Sequence, residues 1–217
     1  MSHHDDADRA EREVLVGAPG AQLVIISGPS GVGKDTIIAA LAARPRDPAF
    51  HYVVTCTTRG PRPGEEPDKS YHFLTTEAFL ALRAAGELLE ANEVHGHWYG
   101  TPRGEVARAL AEGHDVILKI DVQGASVIKS RVPDALLVFI VPPSLEALFQ
   151  RLRSRATESA DELELRQRNA AIELARQGDY DQVVTNETGE VERTAAEIEA
   201  VIAQEKRRNA DRRIRIV

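Results

Sequence analysis

The chain has 217 residues, 42% of them hydrophobic and 28% charged, which suits a single α/β domain large enough to bury a core. A net charge of −7 argues against a broad nucleic-acid surface, which needs an excess of Lys and Arg. No run reaches the roughly 18 apolar residues of a membrane span, and a single cysteine, Cys56, excludes an internal disulfide and a cysteine-rich metal site, so a reducing cytoplasm is the expected compartment.

The opening stretch is polar and acidic and lacks the apolar centre of a signal peptide, so residues 1–20 are expected to form a mobile tail and residues 21–217 a single domain. His3 and His4 are expected to be solvated. "QLVIIS" (22–27) is a short apolar run entering a glycine loop and predicts a buried parallel strand. "KDTIIAALAAR" (34–44) has apolar residues at helical spacing and stops before Pro45. "HYVVTC" (51–56) reads as one strand, and the Pro-, Gly- and charge-rich segment after it as loop. A helix over 77–86 and a strand, turn and strand over 87–100 follow.

From residue 104 helices and strands alternate. Helices are predicted over 104–113, 124–131, 144–155 and about 190–208, with strands over 115–121, 135–141 and 181–186. Another charged helix is expected after Ser159, whose spacing to Glu162 fits a capping box. This rhythm predicts a parallel sheet covered by helices on both faces. The stretch 52–101 breaks the alternation and reads as an inserted lobe between a core of 21–51 and 102–217.

"VIISGPSGVGKDTI" (24–37) nearly matches the phosphate-loop pattern G-x-x-x-x-G-K-[ST] in its strand-loop-helix setting. Glycines let successive backbone N–H groups converge on phosphate, and the helix N-terminus adds positive potential. Gly28, Pro29, Ser30, Gly31, Val32, Gly33, Lys34, Asp35 and Thr36 form this candidate ATP-binding loop, with Lys34 reaching the β- and γ-phosphates. Asp35 stands where a hydroxyl normally holds Mg²⁺, and Thr36 is one residue late for that role.

In the insert, "TCTTRGPRPGEEPDKSYHF" places Arg59 and Arg62 three apart near Thr55 and Tyr71; two guanidinium forks and a phenol can surround one phosphate dianion. "EANEVHGHWYGT" adds Glu90, Tyr99 and Thr101, with Trp98 expected as core packing. His95 and His97 could share a strand face, but no third ligand stands at a familiar spacing, so a structural role is expected.

With "IDVQGA", "VPPS", "RLRSR" and "VTN" in the same order, these motifs make the chain, from about Gln22 to its last helix, resemble the guanylate kinase family. The resemblance implies a P-loop kinase fold: a central parallel β-sheet covered by helices, a mixed α/β GMP-binding insert and a helical lid at about 151–170. It implies ATP-dependent phosphorylation of GMP (and dGMP) to GDP with Mg²⁺, with GMP and ATP as partners and neither nucleic acid nor membrane. By matched position Arg59, Arg62, Tyr71 and Tyr99 would hold the GMP phosphate, and Thr55, Glu90, Thr101 and Asp121 would surround guanine. Arg151, Arg155 and Arg166 would close over the triphosphate as catalytic residues beside Lys34, and Asn186 would edge the adenine. Two alternatives stay open: a non-catalytic scaffold module of the same family, and a ribose 1,5-bisphosphate kinase, a branch that also carries Gly-Lys-Asp.

Lys119 stands two residues before Asp121, where the family commonly has Asp or Glu. An acid has replaced a hydroxyl on the loop, and a base has replaced an acid on the strand. Asp35 and Lys119 are therefore expected to face each other, with Asp35 holding Mg²⁺ directly or through water.

Overall fold

The computed structural model describes residues 15–94, 96–154 and 160–216. In chain order come β1 (Leu15–Val16), β2 (Leu23–Ser27), α1 (Lys34–Ala43), β3 (His51–Tyr52), β4 (Cys56–Thr57) and β5 (His72–Phe73). Next are α2 (Thr76–Ala84), β6 (Leu88–Val94), β7 (His97–Pro102), α3 (Arg103–Ala111), β8 (Val116–Lys119) and α4 (Val122–Arg131). β9 (Leu136–Val141), α5 (Leu145–Ser154), α6 (Ala160–Leu174), a 3-10 turn (Ala175–Asp179), β10 (Gln182–Thr185), α7 (Val191–Arg208) and β11 (Arg215–Ile216) complete it.

The central sheet has the order β10-β9-β2-β8-β3, and every pairing in it is parallel. Its strands are apolar along their length because both faces are covered. Val24 and Ile26 point to one side, into a core with Ile37 and Leu41 of α1, Leu148 and Leu152 of α5, and Ile198 and Ile202 of α7. Leu23 and Ile25 point to the other, packing with Val106 and Leu110 of α3 and Ile128 of α4. The period-two alternation thus feeds two cores, one on each face.

A second sheet, β5-β4-β7-β6, carries its own small core of Cys56, Phe79 and Leu88, against which Trp98 packs. Trp98 also stacks on Phe79 at 5.9 Å between ring centroids. The stretch 51–56, expected as one strand, divides between the two sheets: β3 pairs with β8, whereas β4 pairs with β5 and β7. Its apolar residues carry no mark of which neighbour each will find, and the chain crosses from one sheet to the other between Tyr52 and Cys56.

The expected tail also needs correction. β1 pairs antiparallel with β11, and the Gly17, Ala18 and Gly20 amides bond to the carbonyls of Ile214, Leu110 and Arg212. Residues 15–20 are tied down by the C-terminal strand and α3, a long-range pairing that local polarity does not reveal. The rest of the expected tail, with His3 and His4, lies outside the described residues, as do His95, Arg155 and Ser159 of the proposed capping box. Among the described residues no helix is long and apolar enough to cross a membrane.

One charged group is buried at the amino edge of the sheet. The Asp115 side chain, 3% exposed, accepts from Arg46 (2.8 Å), Lys206 (2.8 and 2.9 Å) and the Gln22 amide (3.2 Å). It ties the end of α1 and α7 to the start of β2. Arg46 and Lys206 are 20% and 36% exposed, so both keep a route to water if the acid is lost. Asp115→Ala should therefore cost about 1.5–3 kcal/mol, the scale of charge-assisted hydrogen bonds, rather than the larger penalty of a stranded buried ion. Urea unfolding with an unchanged m-value checks it.

Candidate active site

The carboxyl ends of β2 and β8 open into a cleft of about 640 Å³. The phosphate loop turns there between β2 and α1. Gly33 caps α1 with φ of 102°, and a Cβ at that position would stand 2.7 Å from the Asn186 side chain. The position therefore takes glycine for backbone angle and for space. Asn186 Nδ2 donates to the Val32 carbonyl at 2.8 Å, locking the loop to the end of β10, while the Val32 side chain is buried in the core beneath. Lys34 Nζ curls back onto the carbonyls of Gly28 (2.6 Å) and Pro29 (3.2 Å). Burial pulls its pKa below the ordinary lysine value, against the opposing pull of Glu173 and Asp35. The Ser30 amide donates to Glu173 Oε2 of α6 at 2.9 Å, so a carboxylate meets one of the loop's anion-seeking N–H groups.

Across the cleft stands the second sheet. Arg59 makes a two-pronged pair with Glu65 (3.0 and 2.9 Å) and donates through Nε to the Tyr99 hydroxyl at 3.3 Å. Burial opposes the Arg59 charge, but Glu65 and Tyr99 outweigh it and raise its pKa. The Arg62 amide caps Glu65 at 2.7 Å, holding the turn that presents both arginines. The Tyr71 ring lies 5.4 Å from the Arg59 guanidinium and 6.2 Å from Tyr99. Deeper in, Glu90 is 3% exposed; its oxygens accept from Thr101 Oγ1 (2.8 Å) and Asn92 Nδ2 (2.7 Å). Burial pushes its pKa up to about 7; Asp121 adds to the rise, while Thr101, Asn92 and Arg131 oppose it.

Between the two halves lies the expected ion pair. Lys119 Nζ donates to Asp35 Oδ1 at 2.5 Å and sits 5.2 Å from the Tyr71 ring centroid. Burial works against the Lys119 charge, but Tyr71 and Asp35 prevail and its pKa rises. The β2–β8 register sets Lys119 opposite Ile26, two residues before Gly28. Asp121 follows as the N-cap of α4, accepting from the Gln123 and Gly124 amides at 2.7 and 2.9 Å.

The cleft thus gathers Gly28, Ser30, Gly31, Gly33, Lys34 and Asp35 with Thr55, Arg59, Arg62, Tyr71, Glu90, Tyr99, Asp121 and Arg166. Thr101 reaches it only through Glu90. Thr36, Arg151 and Asn186 instead line a smaller cavity on the far side of the loop, beside Thr188 and Val191. There Arg151 donates to the carbonyls of Val32 and Asn186, both at 3.0 Å, and to Thr188 Oγ1 at 3.1 Å. Sequence reading does not single out Glu65, Asn92, Arg131 or Glu173. Glu65 stands three residues after Arg62, inside reach of the same turn, and could have been found; Glu173 sits on a charged helix with nothing to distinguish it.

A family model described as guanylate kinase matches residues 20–205. The chain belongs to the guanylate kinase family. It is 46% identical over 191 residues to a guanylate kinase of Symbiobacterium thermophilum, covering 88% of each chain. It is 38% identical to guanylate kinase 2, chloroplastic/mitochondrial, of Oryza sativa subsp. japonica, covering 94% of this chain and 71% of the other. The crystal structure of guanylate kinase from Anaplasma phagocytophilum superposes with a TM-score of 0.72 at 28% identity, covering 90% of this chain and 91% of that one. The P-loop kinase architecture expected from the motifs is the one present.

In this guanylate kinase fold Glu90 carries a pH signature. Its folded pKa, about 7, lies above the ordinary carboxylate value, so it favours folding at low pH and this contribution is lost as pH rises through about 7. Were a guanine edge to meet Glu90, as proposed below, its two N–H donors would need the carboxylate; GMP binding would then release a proton below about pH 7, and affinity would climb between pH 6 and 8. The phosphate titrates near pH 6 as well, so Glu90→Gln serves as the reference. Calorimetry in buffers of different ionisation enthalpy should show a steeper slope and more proton release in the wild type.

Proposed function

We propose that this chain transfers the γ-phosphoryl group of ATP to GMP, giving ADP and GDP, with dGMP as a further acceptor and the reducing cytoplasm as its compartment. The observation that carries the reading is one cleft with two unlike walls: a phosphate loop on one side, and on the other a buried acid, Glu90, beneath an arginine–tyrosine cluster.

Glu90 faces the N1–H and N2–H of guanine, with Thr101 and Asn92 fixing its rotamer and Thr55 and Asp121 flanking the base. Adenine would bring a bare N1 to the same carboxylate, leaving two acceptors face to face in a buried site. Arg59, Arg62, Tyr71 and Tyr99 hold the acceptor phosphate. The loop amides and Lys34 hold the ATP phosphates, Asn186 edges the adenine, and Arg166, which lines the cleft, covers the transferring group, whereas Arg151 braces the loop from its other side through the Val32 and Asn186 carbonyls. A GMP phosphate oxygen forms the new bond to the γ-phosphorus while the bond to the β–γ bridging oxygen breaks, and that oxygen's electron pair leaves with ADP. Little covalent work falls to the protein, so in-line positioning and charge stabilisation dominate.

Asp35 projects from the first turn of α1 into this cleft. One carboxylate beside phosphate oxygens and waters is the donor set Mg²⁺ takes in phosphotransferases, so the residues present fit the ion. Bound there, Mg²⁺ would neutralise the β- and γ-phosphate oxygens.

Steady-state ATP consumption with GMP, dGMP, AMP, UMP and ribose 1,5-bisphosphate tests the reading. GMP and dGMP should be strongly preferred. GMP binding without GDP formation would mark a scaffold module, and turnover of the sugar bisphosphate alone would mark the other kinase branch. Arg62→Ala and Tyr71→Phe should weaken GMP by about 1.5–3 kcal/mol while leaving ATP binding nearly intact. Equal losses for both nucleotides in calorimetry would mean that the second sheet is not a separate acceptor lobe.

A further inference from the structure

Lys119 is a cation that adjoins both walls of the cleft. It bonds Asp35 on the phosphate-loop side and lies against Tyr71 on the acceptor side. Arg59 lies 5.4 Å from the centre of the same phenol ring, so two cations border Tyr71. The position is held by the strand: β8 ends at Lys119, and its neighbours Leu118 and Ile120 are buried. The backbone is fixed while the four-carbon side chain can turn about its stem.

A lysine paired with a carboxylate in this cleft has two readings. It could serve only to neutralise Asp35. Its placement against Tyr71 argues for more, because a salt bridge with a loop carboxylate needs no contact with the opposite lobe. A phosphate dianion entering between Arg59, Arg62 and Tyr71 presents a stronger and more highly charged set of acceptors than one carboxylate.

Resting on the ATP:GMP reading above, we propose that Lys119 is a catalytic residue that exchanges Asp35 for an oxygen of the acceptor phosphate when GMP binds. In the free protein its charge is stored on Asp35. With GMP present the ammonium moves to the acceptor phosphate and gives up its bond to the Asp35 carboxylate. The exchange assigns to Lys119 a contact with the acceptor phosphate, the reacting group.

The test is calorimetry with GMP and with guanosine, in chelator and without ATP, on the wild type, Lys119→Gln, Lys119→Arg, Asp35→Asn and the Lys119→Gln/Asp35→Asn double variant. Lys119→Gln should weaken GMP by about 10- to 100-fold, the range for a lost charged hydrogen bond, and leave guanosine within about two-fold. Lys119→Arg should restore part of the GMP affinity. Asp35→Asn should tighten GMP by removing the competing carboxylate, and that gain should vanish when Lys119 is absent, a coupling read from the cycle. Unchanged GMP affinity in Lys119→Gln would overturn the proposal. So would equal losses for GMP and guanosine, which indicate a structural role. So would an Asp35→Asn gain that persists without Lys119, since that is a general field effect. A wild type that binds no GMP would overturn the acceptor reading itself, a result distinct from all of these.

Discussion

The parallel pairing of β2 with β8 is the constraint from which the cleft follows. Leu23 faces Val116 and Ile26 faces Lys119 along this ladder. The phosphate loop begins one residue past β2, Lys119 closes β8 and Asp121 caps α4 two residues later, so the register brings the loop, the ammonium and the α4 cap to one level. A slip of one residue would send Leu23 and Ile25 toward the wrong core and turn Lys119 away from Asp35. The two apolar cores, one per face, are what make such a slip costly. β2 also lies between β8 and β9, strands that follow it in sequence on opposite sides, and the crevice at such a reversal is where ligands of open parallel sheets enter.

Much of this was legible in the sequence because it is local. The strand-loop-helix around Gly28 to Lys34, the alternation of elements after residue 104 and the paired arginines at 59 and 62 are each contained in a short window. The exchange of residue types at 35 and 119 was legible only through a resemblance that fixes which strand follows which, since 84 residues separate the two. What escaped is long-range or lacks a local mark. The break between β3 and β4 depends on which partner strand each half meets. The ordering of residues 15–20 depends on the far end of the chain. Glu173 meets the Ser30 amide only because α6 packs back across the loop.

A common feature joins several of the groups proposed to bind substrate: they already have a partner of the kind the substrate would offer. Lys34 rests on two loop carbonyls, Ser30 on the Glu173 carboxylate, Arg59 on Glu65, Lys119 on Asp35, and Glu90 accepts from Thr101 and Asn92. An array of half-buried cations with no anion beside them would be costly to hold, because unpaired charge withdrawn from water carries a desolvation penalty. The internal carboxylates remove most of that cost in the free protein. The consequence for binding is that nucleotides substitute for existing partners rather than add to bare ones. On the proposed reading, affinity is then a difference between two satisfied networks, and what distinguishes the substrate is geometry. A phosphate dianion can engage Arg59, Arg62 and Tyr71 together, whereas Glu65 engages the Arg59 fork and the Arg62 amide. The donors and acceptors that survive this comparison are those whose first partner is the poorer match, and the Lys119–Asp35 pair, bordering both lobes, is where that difference acts on both substrates together.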